Sequence, residues 1–231
     1  MHNIAKNINI DWRWVVSHVS VREKLKDMTE GSTKEAILEQ LEKALTIAKS
    51  KAAPSIIMTK KNIVHFNSLS FEVEGGVTLC SKELTSHIKG ADAIYAFAAT
   101  IGNDIEEAAT SYMNSGDHLL GYLLDRIGSF AVESLAKNTE EALRSLMTQK
   151  HLSVSMRFSP GYCDWPIEEQ FKLAKIIDFS KAGITLTKNC MMLPKKSISA
   201  VVGIGPERLF AKTISPCALC NMKTCDYRRR D

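Results

Sequence analysis

Long apolar runs are missing from this chain. Its longest nearly uncharged stretch, Ala93 to Ile101, falls well short of the roughly 20 residues needed to cross a bilayer. The opening residues, MHNIAKNINIDWRWVV, lack the continuous apolar core and small-residue cleavage site of a secretory signal, so a cytoplasmic location with no membrane partner is expected. Glycine (12) and proline (6) are too few for a collagen-like or low-complexity chain. No repeat at solenoid spacing and no Gly/Ser linker divides the text. A basic stripe with interleaved aromatics is also lacking, and part of the net charge of +4 sits in Arg228, Arg229 and Arg230, so no nucleic-acid partner is expected. The six cysteines do not read as a disulfide framework in such a chain: Cys80, Cys163 and Cys190 are scattered, whereas Cys217, Cys220 and Cys225 fall within nine residues.

What is present is ordinary for a folded protein. Hydrophobic residues make up 45% and charged residues 24%, enough apolar surface to offset backbone entropy. The 231 residues correspond to about one and a half typical domains.

Periodicity supplies the elements. Ser32-Thr33 followed by Glu35 reads as a helix start, with Ile37, Leu38, Leu41, Ala44, Leu45 and Ala48 at helical spacing and Pro54 beyond its end. Residues 55–80 change to short β-rich runs, with breaks expected at Lys60-Lys61-Asn62, Asn67-Ser68 and Gly75-Gly76. Ser81 caps a short helix, and ADAIYAFAATIG reads as a buried strand. Asn103 is expected to cap a helix to about Ser115, and Asp117 a second one to about Met147 with a stripe of Leu120, Leu123, Leu124, Ile127, Ala131 and Leu135. A loop, VSMRFSPGYCDWP, precedes the helix IEEQFKLAKIIDF and the strands ITLTKNCMML and SISAVVGIG. Clustered strands with helices between them favour α+β over a doubly wound α/β fold.

The loop Arg157-Phe158-Ser159-Pro160-Gly161-Tyr162 carries the most chemistry. Pro160 fixes φ and keeps Ser159 extended, while Gly161 can take positive φ or let a ligand approach the backbone. Arg157 suits bidentate binding of a carboxylate, and Tyr162 offers a ring face and a hydroxyl. The plain alternative is a Pro-Gly turn whose arginine meets a local acid.

RFSPGYCDWP, the acidic helix after it, and GITLTKNCMMLPKKSISAVVGIG resemble the activation domain of cobalamin-dependent methionine synthase. That domain's pattern is Arg-x-x-Pro-Gly-Tyr, an interval of about twenty residues, Gly-(Met/Ile)-x-Leu-Thr, a Met-x-Pro segment and Ser-(Val/Ile)-Ser. Ile10-Asp11-Trp12 resembles its opening motif, and Ala96-Phe97-Ala98-Ala99-Thr100 its Ala-Phe-Ala-x-Thr strand. The ungapped helix after that strand puts Glu133 on a family glutamate. Residues 1–210 are thus expected to form the activation-like domain and 211–231 a Cys-rich tail. The fold that the resemblance implies is a single compact α+β domain, with a bent, mainly antiparallel sheet flanked by helices.

The resemblance also implies a role: binding S-adenosylmethionine over a cobalamin whose cobalt has oxidised, and allowing its reductive methylation. Arg157 would pair with the ligand's carboxylate, Asp11 and Glu133 would serve its ammonium end, and the main chain of Phe158, Ser159, Pro160, Gly161 and Tyr162 would hydrogen-bond it. Tyr162 would also face the cobalt. By periodicity, Glu133 lies about 140° from the centre of its helix's apolar stripe, a solvated position unless another element covers it. Asp11 reads equally as a turn or cap residue. The family's tyrosine pair downstream of Ser-Val-Ser is replaced by Arg208-Leu209-Phe210, which removes any phenol role there. The chain has no room for homocysteine, folate or cobalamin domains, so the cobalamin is expected on a separate corrinoid methyltransferase, with a flavodoxin- or ferredoxin-like electron donor.

Two features stand beside this pattern. Cys217-x2-Cys220-x4-Cys225 has thiolate spacing suited to zinc or an iron–sulfur cluster, with Cys163 or Cys190 as fourth ligand; Cys163 is the choice that adjoins the bend. Lys195 and Lys196 either meet corrin side chains or an acidic carrier surface, or are exposed turn residues. His18, His65, His87, His118 and His151 have no metal-ligand spacing, and Met191-Met192 reads as strand packing. The function expected is therefore a reactivation subunit, an accessory to methionine synthase with little turnover alone. The alternatives are an iron–sulfur protein feeding electrons to a corrinoid protein, or a non-catalytic regulatory module.

Overall fold

Three apolar clusters organise the chain: one lies on one face of a central sheet, and the other two share its opposite face along the longest helix. The structure is a computed structural model that describes residues 8–211 together with Ala218 and Thr224. In chain order the elements are α1 (Trp12–Arg22), α2 (Ser32–Lys51), β1 (Ser55–Phe66), β2 (Ser70–Val73), β3 (Val77–Cys80), α3 (Lys82–His87), β4 (Ala93–Thr100), α4 (Asp104–Asn114), α5 (His118–Thr148), β5 (Leu152–Val154), α6 (Gln170–Ile176), β6 (Thr185–Leu186), β7 (Met192–Leu193) and β8 (Ser197–Pro206).

Six strands form one sheet in the order β3-β2-β1-β4-β8-β5, and every neighbouring pair is antiparallel. β1 is uninterrupted, where a break at Lys60-Lys61-Asn62 was expected. Its first part, from Ser55↔Thr100 to Asn62↔Ala93, pairs with β4 and its end pairs with β2, with a register slip between Ile63 and His65. A slip of this kind bends the strand and raises its twist. The outer strands β2 and β3 therefore curl away from the plane of β4 and β8, giving the bent α+β sheet.

β4 is buried at all eight positions because both its faces are covered. Ile94, Ala96 and Ala98 join Phe71, Leu79, Leu84, Ile88, Phe158 and Trp165 on one side. Ala93, Tyr95 and Phe97 meet Ala136, Leu143 and Met147 of α5 on the other. With no solvent face to serve, the strand shows no polar alternation. The third cluster packs α1, α2, α4 and the first half of α5.

α5 has 31 residues, a rod of about 46 Å, and its predicted stripe is buried throughout. Asp117 caps it through Leu120 N, and Ser81 caps α3 through Leu84 N. Elsewhere the caps differ from expectation. Gly31, not Ser32, precedes α2, and Asn103 makes no capping bond to α4, its amide meeting Glu107 instead. ITLTKNCMML is two short strands, β6 and β7, closed by Thr187 N to Met191 O at 2.9 Å, rather than one. Among the described residues no helix is long and apolar enough to cross a membrane.

Candidate functional site

After β5 the chain keeps running beside β8, out of step. Ser155 N bonds Gly203 O at 3.0 Å, and Phe158 and Val201 then exchange both main-chain bonds at 2.9 Å. Three steps on one side thus match two on the other, and the extra residue is accommodated at Met156-Arg157. Such a bulge re-aims side chains. Phe158 enters the cluster with Trp165, whereas Arg157 meets α5.

The Arg157 guanidinium is 1% exposed, and its Nη2 pairs with the Glu133 carboxylate, which is 28% exposed. Arg157 is thus a residue from another element that meets Glu133. Arg157 Nε and Nη1 are buried without a partner, and so is Ser159 Oγ two residues on. Three donors at or next to one bend, two of them on a permanently charged group, are therefore buried without a partner.

That bend is a turn with Tyr162 N on Ser159 O at 3.0 Å, Pro160 second and Gly161 third at φ +91°. Proline then a positive-φ glycine is the type II arrangement. Gly161 N bonds Trp165 O at 2.8 Å and Trp165 N bonds Tyr162 O at 2.9 Å. The amide hydrogens of Phe158, Gly161 and Tyr162 are thus used inside the protein, and so are the carbonyl oxygens of Phe158, Ser159 and Tyr162. Tyr162 is half-buried, its ring 5.9 Å from that of Phe158.

Two neighbours hold the loop. Asp164 accepts from Ser81 Oγ at 2.5 Å, Lys82 N at 2.8 Å and Glu83 N at 3.2 Å. Burial pushes its carboxyl up, but these hydrogen bonds outweigh that and keep it below the usual range. His87 Nε2 lies 3.0 Å from Met156 O, and burial lowers the imidazole's pKa against the opposing effects of that bond and of Glu140.

At the other end, Asp11 is the N-cap of α1, its Oδ1 accepting from Arg13 N and Trp14 N. Its own N–H donates to Ser134 Oγ at 2.9 Å, next in sequence to Glu133. The structure therefore pairs Glu133 with Arg157 directly, ties the Asp11 backbone to the residue beside Glu133, and continues from Arg157 into the bend of Ser159, Pro160, Gly161 and Tyr162.

The lysines lie elsewhere. Lys196 Nζ bonds Asp125 Oδ1 at 2.6 Å and Ser129 Oγ at 2.9 Å and is 13% exposed. Asp125 is eight residues, about 12 Å along α5, from Glu133. Lys195 is 60% exposed and pairs with Glu106 at 2.7 Å, a contact that raises its pKa. Phe210 is buried, packed against the cluster of Phe158 and Trp165. Cys217, Cys220 and Cys225 lie outside the described residues. Cys163 is half-buried, and among the described residues no group of three or more His, Cys, Asp or Glu is placed to hold a metal.

The sequence pattern of the vitamin B12 dependent methionine synthase activation domain matches residues 78–214. The chain belongs to that family. Its fold is also that of the MetH reactivation domain in a crystal structure bound to AdoHcy, with a TM-score of 0.62 and 16% identity over 84% of this chain and 73% of that one. No curated protein matches it. Within this activation domain, Glu133, the bend at Arg157 and both lysines fall inside the matched stretch, whereas Asp11 and the three tail cysteines fall outside it.

Ser134, Asn138, Asp164 and His87 were not singled out from sequence. A buried serine and a half-buried asparagine on a helix look the same in text whether or not a distant segment crosses them. Asp164 carried one weak signal, an acid just beyond a Pro-Gly turn.

Proposed function

We propose that this activation domain binds S-adenosylmethionine at the Arg157 bend and supports the reactivation of a cobalamin carried by a partner protein in the cytoplasm. The observation that carries the reading is the set of buried, unpartnered donors: Arg157 Nε, Arg157 Nη1 and Ser159 Oγ. A buried donor left unsatisfied costs about 1–3 kcal/mol, more when charged, and an amino-acid carboxylate brings two acceptor oxygens matched to a guanidinium edge. These residues therefore fit the amino-acid end of the ligand. Glu133 and Asp11 supply negative charge for the ammonium group, and the carbonyl oxygens of Pro160 and Gly161 are the ones on the bend assigned to accept from further N–H groups. The AdoHcy bound by the related reactivation domain supports an S-adenosyl ligand.

S-adenosylmethionine supplies a methyl group, and the chain's own residues bind and orient it. Tyr162, at the edge of the bend, is the group we assign to face the cobalamin. The electron comes from a flavodoxin- or ferredoxin-like donor. Calorimetry with S-adenosylmethionine and S-adenosylhomocysteine tests the site. The wild-type protein binds both, and Arg157→Ala loses roughly ten- to a hundredfold in affinity, the range for one charge-assisted contact. No binding by the wild-type protein, or an unchanged affinity in Arg157→Ala, would falsify the reading.

A further inference from the structure

Residues 8–11 cross α5 as an extended strap. Ile8 and Ile10 are buried in the cluster beneath it, while Asn9 and Asp11 are exposed, the two-residue alternation of a strand. Two side chains one turn apart on α5 hold this strap by its backbone: Ser134 Oγ accepts from Asp11 N at 2.9 Å, and Asn138 Nδ2 donates to Asn9 O at 2.7 Å. Positions i and i+4 lie on the same helix face, so the two contacts act as a pair. Ser134 is 1% exposed, and its hydroxyl here receives a main-chain N–H from a residue 123 positions away.

The consequence falls on Asp11. Its two capping bonds both use Oδ1, which leaves Oδ2 its acceptor capacity. Its backbone is tied to the residue beside Glu133, whose carboxylate meets Arg157. We infer that Ser134 and Asn138 are positioning residues, which set the Asp11 carboxylate at the ammonium end of the ligand through the Asn9–Asp11 backbone. This rests on the S-adenosyl reading of the Arg157 bend.

The test compares S-adenosylhomocysteine with its deaminated analogue, which keeps the carboxylate and lacks the ammonium. Ser134→Ala weakens S-adenosylhomocysteine roughly three- to tenfold and leaves the deaminated analogue within about twofold, as expected for one lost hydrogen bond acting through Asp11. Asn138→Ala, at a half-buried position outside the apolar clusters, shows the same selectivity without disturbing the core, so the test stands even if Ser134→Ala folds poorly. Asp11→Asn retains a capping side chain, so α1 persists, and in that background Ser134→Ala brings no further loss. Equal weakening of both ligands reduces the two residues to scaffold and overturns the inference, as does no weakening at all. Arg157→Ala separates the levels. If it loses both ligands while the Ser134 and Asn138 variants bind normally, only the positioning role is wrong. If the wild-type protein binds neither ligand, the site reading fails and takes the positioning role with it.

Discussion

Glu133→Gln should destabilise this protein more than Arg157→Met, although the arginine is the larger and more deeply buried partner. The glutamine keeps an acceptor oxygen, so the substitution isolates the loss of charge. It leaves a guanidinium that is 1% exposed, with Nε and Nη1 already unpartnered, and no anion against it. Removing one member of a fully buried pair costs about 3–5 kcal/mol, because the survivor is an uncompensated charge. Glu133 is 28% exposed, so water reaches the gap, and a cost of about 2–3 kcal/mol is the better figure. For a chain of this length that corresponds to roughly 4–12 °C in melting temperature. Arg157→Met removes the charge together with its two unsatisfied donors and leaves a carboxylate that can hydrate, so it should be within about 1 kcal/mol of the wild type. Urea and thermal melts of the two variants, with matching m-values, decide the question. If Arg157→Met melts below Glu133→Gln, the guanidinium is better satisfied than its surroundings indicate, and the donor cluster loses its claim on a ligand.

Two further outcomes follow from the same loop. Gly161→Ala meets no clash, since the nearest atom to the new Cβ is Ile167 Cδ1 at 3.6 Å, but φ +91° is a backbone conformation alanine resists. It should cost about 1 kcal/mol, seen as a fall of roughly 2–4 °C, and an unchanged melting point would mean that the turn has no need of glycine. His87 has a folded-state pKa lowered by burial, so the unfolded chain binds the extra proton first. Its stabilising contribution is complete above the unfolded value, near about 6.5, and is lost as pH falls through the depressed folded value. Urea melts across that window should show a shallower loss in His87→Gln than in the wild type, and equal slopes would contradict this.

How much of this was legible depends on the range of the contact. Caps and stripes act within a turn or two, and Asp117, Ser81 and the α5 stripe are where the text placed them. β4 was legible for a different reason: burial on both faces removes every polar residue and leaves an unbroken apolar run. β1 failed because Lys60, Lys61 and Asn62 read as a turn. They remain in the strand because backbone pairing to Tyr95, Ile94 and Ala93 holds them, and a partly exposed strand tolerates polar side chains. The hairpin β6–β7 was hidden in the same way, since Thr187 to Cys190 carries no glycine and turns on a positive φ at Cys190.

The site divides along the same line. Pro160 and Gly161 announce a turn, because φ restriction and φ freedom are properties of single residues. Glu133 was reached through the family resemblance and not through its local pattern. Its own helix places it off the apolar stripe, and only the path of residues 154–157, directed by a one-residue excess against β8, puts a guanidinium over it. Ser134 and Asn138 are still further from local rules, since what they hold arrives from more than a hundred residues away. A binding residue whose neighbour is set by its own turn can therefore be read from text. One whose neighbour is set by a bulge in another strand becomes visible only when the two segments are laid side by side.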